Sequence, residues 1–394
     1  MAQATAQATT QSILIVAGEA SGDHYAQELV CETRALDPGL KFFGMGGDRM
    51  DSAGVELIEH VRNVQVMGFV EVLGKLRPLY RAFRRIVEEA EKRRPAAVVL
   101  VDFPGFNLRL AAKLRARIQA PILYYIGPTV WAWRPQRIDA IRKCVDKMLV
   151  IFPFEEPLYR AKGVPVEYVG HPLVGTVRAK RTRAEFRKAV GLAQDKPLIG
   201  LLPGSRPHEV SRILPGMREA ARLLAAERQV EFALGLADTI DRSQVEGLLK
   251  GGPPVAIVER GTHDLMAGAD ALLVACGTAP LEAAILGTPM IVVYRTGRIN
   301  YEVIARLIRV PHVCIVNLIM GREVVPEILQ DAYTPRRAAD EVLALLGDGE
   351  AAKAQRLAFA ELATRLGSAG AGHRAAAAIV AAARGGREAA RAAS

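Results

Sequence analysis

The sequence predicts an α/β protein made of two doubly wound parallel-sheet domains. Two observations carry this. Short, continuous apolar runs of strand length alternate with helix-compatible stretches, and small-residue or acid-tipped turns directly follow several of those runs. Apolar runs without polar alternation mark strands buried on both faces, and the intervening helices supply the covering layers. In the first half these runs are 13–17, 97–101, 121–125 and 147–151; in the second they are 198–202, 230–235, 255–258, 271–274 and 290–294. Around 170–183 the alternation breaks at a Gly-His-Pro and a run of positive charge, where we place the linker. The expected organisation is a polar, disordered tail at 1–11, a first domain at 12–175 and a second at 176–334. C-terminal helices at 335–384 are expected to pack back on the first domain, with a disordered tail at 385–394. Two such sheets leave a cleft beyond the carboxyl ends of their strands, the usual ligand position in this fold class.

Composition narrows the function. The chain has 394 residues, half of them hydrophobic, enough for several real cores, and a formal net charge of +10. That sign suits phosphorylated substrates or an anionic membrane surface. No zinc-finger, RRM or basic-zipper pattern is present, so nucleic acid is not an expected partner. Cys31, Cys144, Cys276 and Cys314 are far apart and form no C-x-x-C pair, so reduced thiols are expected and a metal site is not. No signal-peptide pattern or bilayer-length apolar run occurs, which predicts a cytoplasmic protein that meets a membrane only at its surface.

The most informative segment is L-L-P-G-S-R-P-H-E-V, 201–210. A strand runs into a Gly204-Ser205-Arg206 turn and then a helix, presenting free backbone N–H groups to phosphate oxygens. Arg206 adds a permanently charged guanidinium able to fork onto two of them without a metal. A-C-G-T-A-P-L-E, 275–282, offers a second such turn at Gly277 and Thr278. Glu282, one helical turn on, is placed to accept from both hydroxyls of a ribose, although an acid in a first helical turn is favourable in any case.

In the first half, I-L-I-V-A-G-E-A-S-G-D, 13–23, ends a buried strand in a small-residue loop without G-x-G-x-x-G. Glu19 and Ser21 lie at the mouth of the expected cleft, and Ser21 or Asp23 is an equally natural helix cap. V-V-L-V-D-F-P-G-F-N, 98–107, ends a strand in Asp102, positioned either to accept a proton from an attacking hydroxyl or to cap the next helix. Trp131 and Trp133 stand beside Arg134 and Arg137 and read as a sugar- or acyl-pocket wall or as packing anchors. The stretch 66–87 combines apolar bulk, including Val66, Met67, Phe69, Leu73 and Leu76, with several arginines. It reads as a helix lying in a membrane interface, or as an internal helix with a solvated basic side. V-N-L-I-M-G-R-E-V-V-P-E, 316–327, puts Asn317 and Arg322 in a loop-like stretch. His171 and His208 lack a second ligand at metal spacing and read as packing or hydrogen-bonding histidines.

Taken together and in this order, these motifs resemble the lipid-A-disaccharide synthases, glycosyltransferases of the two-Rossmann-domain (GT-B) type. The resemblance runs from about Ile13 to about Gln330 and adds G-M-G-G at 44–47, G-P-T-V-W-A-W-R, P-F-E at 153–155 and Y-V-G-H-P-L at 168–173. It implies inverting transfer of 2,3-diacylglucosamine from its UDP carrier to the 6-hydroxyl of 2,3-diacylglucosamine 1-phosphate (lipid X), without a cofactor. It further implies Asp102 as general base, with Glu19 and Ser21 in the acceptor cleft. Gly204, Ser205 and Arg206 would hold the diphosphate, Gly277, Thr278 and Glu282 the nucleotide, and Asn317 would sit near the transferred group. Val66, Met67, Phe69, Leu73 and Leu76 would form the acyl groove, docked on the inner face of the inner membrane. Where the family usually carries Ser-Gly-Thr-Ala-Thr, this chain has Cys276 and Pro280, which keeps the backbone amides except at Pro280. Competing readings are a GT-B enzyme on a soluble UDP-N-acetylhexosamine (transferase or 2-epimerase), a non-catalytic lipid-binding module, and a nicotinamide oxidoreductase. The oligomeric state, a homodimer included, is not legible in the sequence.

Overall fold

The computed structural model describes residues 11–63, 72–133, 136–297, 301, 310–347 and 349–392. The chain divides into two compact units. Residues 1–172 with 368–394 form the first, and 173–367 the second.

The first unit holds seven parallel strands: β1 (Ser12–Ala17), β2 (Lys41–Gly46), β3 (Glu56–His60), β4 (Ala97–Val101), β5 (Ile122–Tyr125), β6 (Lys147–Val150) and β7 (Val166–Tyr168). Their order is β3-β2-β1-β4-β5-β6-β7. Because side chains alternate faces along a strand, Leu14, Val16, Val98 and Leu100 meet Ala82, Ile86 and Leu110 on one face. Ile13, Ile15, Val99 and Val101 meet Ala26, Leu29, Ala375 and Ile379 on the other. The close approach of β2 to β1 demands a glycine, since a Cβ on Gly44 would lie 1.8 Å from the Ile15 carbonyl oxygen.

The second unit holds six parallel strands: β8 (Leu198–Leu202), β9 (Glu231–Gly235), β10 (Ala256–Val258), β11 (Ala271–Ala275), β12 (Met290–Tyr294) and β13 (Glu327–Leu329), ordered β10-β9-β8-β11-β12-β13. Ile199, Leu201, Leu273 and Ile291 pack against Ile213 and Met217 of the helix Pro207–Glu227 and against Val342 of the helix Pro335–Leu345. Four strands, β2, β3, β7 and β13, go beyond the runs read from the sequence.

The C-terminal region departs from expectation. The helices Pro335–Leu345 and Glu350–Leu366 belong to the second unit, and only Ala371–Arg391 returns to the first. The stretch expected as a disordered tail is helical to Arg391, with a kink at Gly386 and Ala390 fully buried. The reason is Asp146, a buried acid that accepts from Arg115, Arg387 and Arg391. Although burial opposes ionisation, the Ile122 N–H and the Arg115 and Arg387 guanidinium groups hold its carboxyl below the usual range. Residues 1–10 lie outside the described part of the chain.

Candidate functional site

In each sheet the winding reverses between two adjacent strands, β1 and β4 in the first and β8 and β11 in the second. Ligands of doubly wound sheets bind beyond the carboxyl ends of such strands. Glu19, Ser21 and Asp102 follow the first pair of strands, and Gly204, Ser205, Arg206, Gly277, Thr278 and Glu282 follow the second.

Asp102 follows β4 directly. It and Phe103 both take left-handed backbone conformations, φ 47° and 49°, unusual for residues with side chains and costing roughly 1–3 kcal/mol each. Three hydrogen bonds hold the turn: Asn107 Nδ2 (2.8 Å) and the Tyr124 hydroxyl (2.7 Å) donate to the Asp102 carbonyl, and the Asp102 N–H donates to Tyr125 O (3.1 Å). The helix Pro104–Arg115 begins at Phe103 without a side-chain cap, so the Asp102 carboxylate is not committed to capping. Burial, reinforced by the Glu19 charge, pushes that carboxyl up to about 6 against the Phe103 N–H. Both are conditions for a proton acceptor working near neutral pH.

Glu19 is exposed at the N-cap of the helix Ala20–Leu36, and Ser21 is exposed in its first turn. Neither Ser21 nor Asp23 caps this helix. Asp23 instead reaches the G-M-G-G segment, accepting from the N–H groups of Gly47 (2.6 Å), Arg49 (3.1 Å) and Met50 (3.2 Å). It caps the neighbouring helix Asp48–Ser52 and ties two of the sequence motifs together.

The second unit presents a pocket of about 360 Å³. Gly204, Ser205, Arg206, Gly277, Thr278 and Glu282 all line it. Gly204 has φ 109°, a conformation that favours glycine, and a Cβ there would lie 3.1 Å from Glu209 Oε2. Arg206 is the N-cap residue of Pro207–Glu227 and is largely exposed, with Nη1 2.8 Å from Glu209 Oε1. An anion bound at the turn would share this guanidinium with Glu209. At Gly277 a Cβ would meet nothing within 4 Å, so the backbone there is open to a ligand. Pro280 occupies the first turn of Ala279–Ile285, where its missing N–H costs no helical bond. Thr262, Met266 and Ala237 also line the pocket and were not singled out from the sequence. Applying the strand-end rule to β9 and β10 would have found the segments that carry Ala237 and Thr262.

Asn317 does not line this pocket. It is fully buried on the helix Ile315–Met320, donating to Val325 O (2.9 Å) and Glu327 Oε1 (2.7 Å) and accepting from the N–H groups of Val324 (2.7 Å) and Val325 (3.0 Å). Its amide clamps the loop that leads into β13, where the sequence suggested an open loop and a ligand contact.

Of the expected acyl groove, Val66, Met67 and Phe69 lie outside the described residues. Leu73 and Leu76 fall on the helix Val72–Arg93 in a part whose side chains are not described. Farther along, Ala82, Ile86 and Ala90 are buried, while Arg77, Arg81, Arg84 and Arg85 line a surface hollow with Tyr80. No helix among the described residues is long and apolar enough to cross a membrane.

Trp131 is a packing anchor. Its indole N–H donates to Glu155 Oε1 at 3.2 Å, and its ring meets Phe154 edge-on at 5.1 Å. Glu155 is buried and also accepts from the Phe152 N–H (3.1 Å); burial pushes its carboxyl up to about 7 despite these bonds. His171 packs on Phe152 at 5.3 Å, with burial holding its imidazole down at about 4, whereas His208 is exposed.

Solved structures with this architecture include the calicheamicin glycosyltransferase CalG4, with a TM-score of 0.62 at 17% identity over 96% of this chain and 99% of that one. The UDP-GlcNAc 2-epimerase from Neisseria meningitidis bound to UDP-GlcNAc gives 0.58 at 12% identity over 94% and 98%. At such identities the likeness is one of fold, the GT-B glycosyltransferase type. Curated relatives are nearer. The lipid-A-disaccharide synthase of Myxococcus xanthus is 45% identical over 93% of this chain and 96% of its own length. That of Syntrophus aciditrophicus is 43% identical over 92% and 96%. Residues 13–379 match the family described as lipid-A-disaccharide synthetase, and with relatives this similar along nearly their whole length the chain belongs to that family of lipid A glycosyltransferases.

Proposed function

We propose that the protein transfers 2,3-diacylglucosamine from UDP-2,3-diacylglucosamine to the 6-hydroxyl of lipid X, releasing UDP and tetraacyl disaccharide 1-phosphate. The observation that carries this reading is the convergence of Gly204, Ser205, Arg206, Gly277, Thr278 and Glu282 on one pocket at the reversal point of the second sheet. That set suits a nucleoside diphosphate: amides and a guanidinium for the phosphates, a carboxylate for the ribose hydroxyls.

In this reading Asp102 takes the proton of the acceptor 6-hydroxyl as its oxygen attacks the anomeric carbon. The bond from that carbon to the diphosphate breaks, with inversion, and the electron pair leaves with UDP. Arg206 and the Gly204–Ser205 amides stabilise the charge that develops on the diphosphate. Glu19 and Ser21 contact the acceptor sugar. The stretch 66–87 takes the acyl chains, and its arginines meet the anionic cytoplasmic leaflet.

The test is to incubate purified protein with both lipid substrates and follow UDP release and the disaccharide by mass, with EDTA in a parallel tube. Disaccharide in both tubes is expected. Turnover of UDP-N-acetylglucosamine without disaccharide would reassign the chain to soluble sugars, and silence on both donors would remove the catalytic reading.

A further inference from the structure

A second hollow, of about 510 Å³, adjoins the nucleotide pocket and is lined by Arg178, Lys180, Arg181, Arg260 and residues 261–264. Thr262 lines both spaces. Next to it, His263 places Nε2 3.4 Å from Glu282 Oε2. Glu282 makes no other ion pair among the described residues. A glutamate side chain has three torsions, and as a two-point acceptor for a diol it is useful only when held in one rotamer. Contact at Oε2 supplies that restraint and leaves Oε1 and the second lone pair of Oε2 for the two hydroxyls of a diol.

The charged groups around the imidazole come from each neighbouring element. Glu282 lies on Ala279–Ile285, Asp264 on the same helix as His263 (Thr262–Gly268), and Lys180 on the segment ahead of Arg183–Ala189, while Arg178, Arg181 and Arg260 line the same hollow. The helix Arg183–Ala189 also packs here, with Arg183 and Arg187 paired to Asp270, Glu185 bonded to Thr182 and Lys188 exposed. Strands β8 and β9 pack against the helix of His263 as well, and Glu231, their one ionisable residue, accepts from Ala193 N–H at the start of β9. The Glu282 carboxylate, bonded to the ring, outweighs burial and Lys180 and holds the imidazole above its ordinary pKa.

We propose that His263 is a positioning residue of the donor site, its imidazolium holding Glu282 in the orientation that accepts both ribose hydroxyls of a uridine nucleotide. The inference rests on the ribose role of Glu282 argued above. Affinities for UDP and 2′-deoxy-UDP, measured by titration calorimetry, test it, because the phosphates titrate alike in both and cancel in the ratio. The wild type is expected to prefer UDP about tenfold near pH 6 and less near pH 8.5, as the imidazolium deprotonates. His263→Ala is expected to cut the preference to about twofold at both pH values while leaving 2′-deoxy-UDP affinity nearly unchanged. His263→Gln, a neutral donor, should restore part of the preference without its pH dependence. A His263→Ala protein that keeps the wild-type preference and pH dependence overturns the proposal. Should Glu282→Gln also keep the preference, the ribose assignment itself falls; should Glu282→Gln lose it, only the role of His263 does.

Discussion

The two sheets reverse their winding at equivalent places, yet the strand ends there carry opposite chemistry. Beyond β1 and β4 stand two acids, Glu19 and Asp102, the second on a strained turn whose backbone is bonded in place. Beyond β8 and β11 stand Gly204, Arg206 and Gly277 around an open pocket. In the proposed reaction one end takes a proton and the other holds an anion. Shared topology supplies the position, and the few residues after each strand decide the chemistry.

The largest expected effect breaks the first end alone. Asp102→Asn should lower turnover by about 10²–10⁴ while UDP affinity stays within about twofold. Normal turnover in that variant would move the proton acceptor to Glu19. Arg206→Ala should break the other end, costing about 10²–10³ in rate and weakening UDP binding, which Asp102→Asn leaves alone. Equal UDP affinity in Arg206→Ala and wild type would contradict the division of labour. Arg206→Lys should recover only part of the loss, since a point charge lacks the fork.

A third measurement concerns stability and sharpens the picture of the first unit, where a buried carboxyl and a buried imidazole beyond β6 and β7 are shifted in opposite directions from their ordinary values. Glu155 is raised from 4.5 to about 7, so the folded state holds the proton longer, and its contribution is full below 4.5 and lost as pH rises to 7. His171 is lowered from 6.5 to about 4, so its contribution is full above 6.5 and lost as pH falls to 4. Between 4.5 and 6.5 the two oppose each other. Removing the first with Glu155→Gln should unmask a rise of stability with pH across that window, of up to roughly 3 kcal/mol. Chemical denaturation followed by tryptophan fluorescence reads it, and a profile parallel to the wild type would show that Glu155 does not titrate there.

The smallest effect is in the pH–rate profile. With its carboxyl raised to about 6, Asp102 is protonated and idle at lower pH, so kcat/KM should fall about tenfold per pH unit below that value. Glu19→Gln removes the neighbouring charge and should move the inflection downward. An inflection that stays in place would mean that burial alone sets it.

Much of this was legible in the sequence because it is local. Runs such as 97–101 and 271–274 are apolar throughout, as strands covered on both faces must be, and they appear as the centres of the two sheets. The missed strands have equally local reasons. β2 reads K-F-F-G-M-G, and its glycines imitate a turn; β3, β7 and β13 are edge strands of three to five residues that carry glutamates. The L-P-G-S-R and C-G-T-A-P-L-E turns stood out as candidate ligand turns because strand end, small residue and charge adjoin in the chain, and both line one pocket.

Partnerships between distant residues were decided only by the tertiary structure. The Arg-rich C-terminus looked disordered by composition, yet Arg391 is bonded to Asp146, 245 residues away. Asn317 looked available, and folding spends its whole amide on the backbone and carboxylate around β13. The sequence names Asp102, but its proton affinity comes from burial and from Glu19, which lies on a different loop. Turn chemistry depends on neighbours along the chain and is determined by sequence. Charge state, and whether a polar group is free, depends on neighbours in space, which exist only once the sheets have closed.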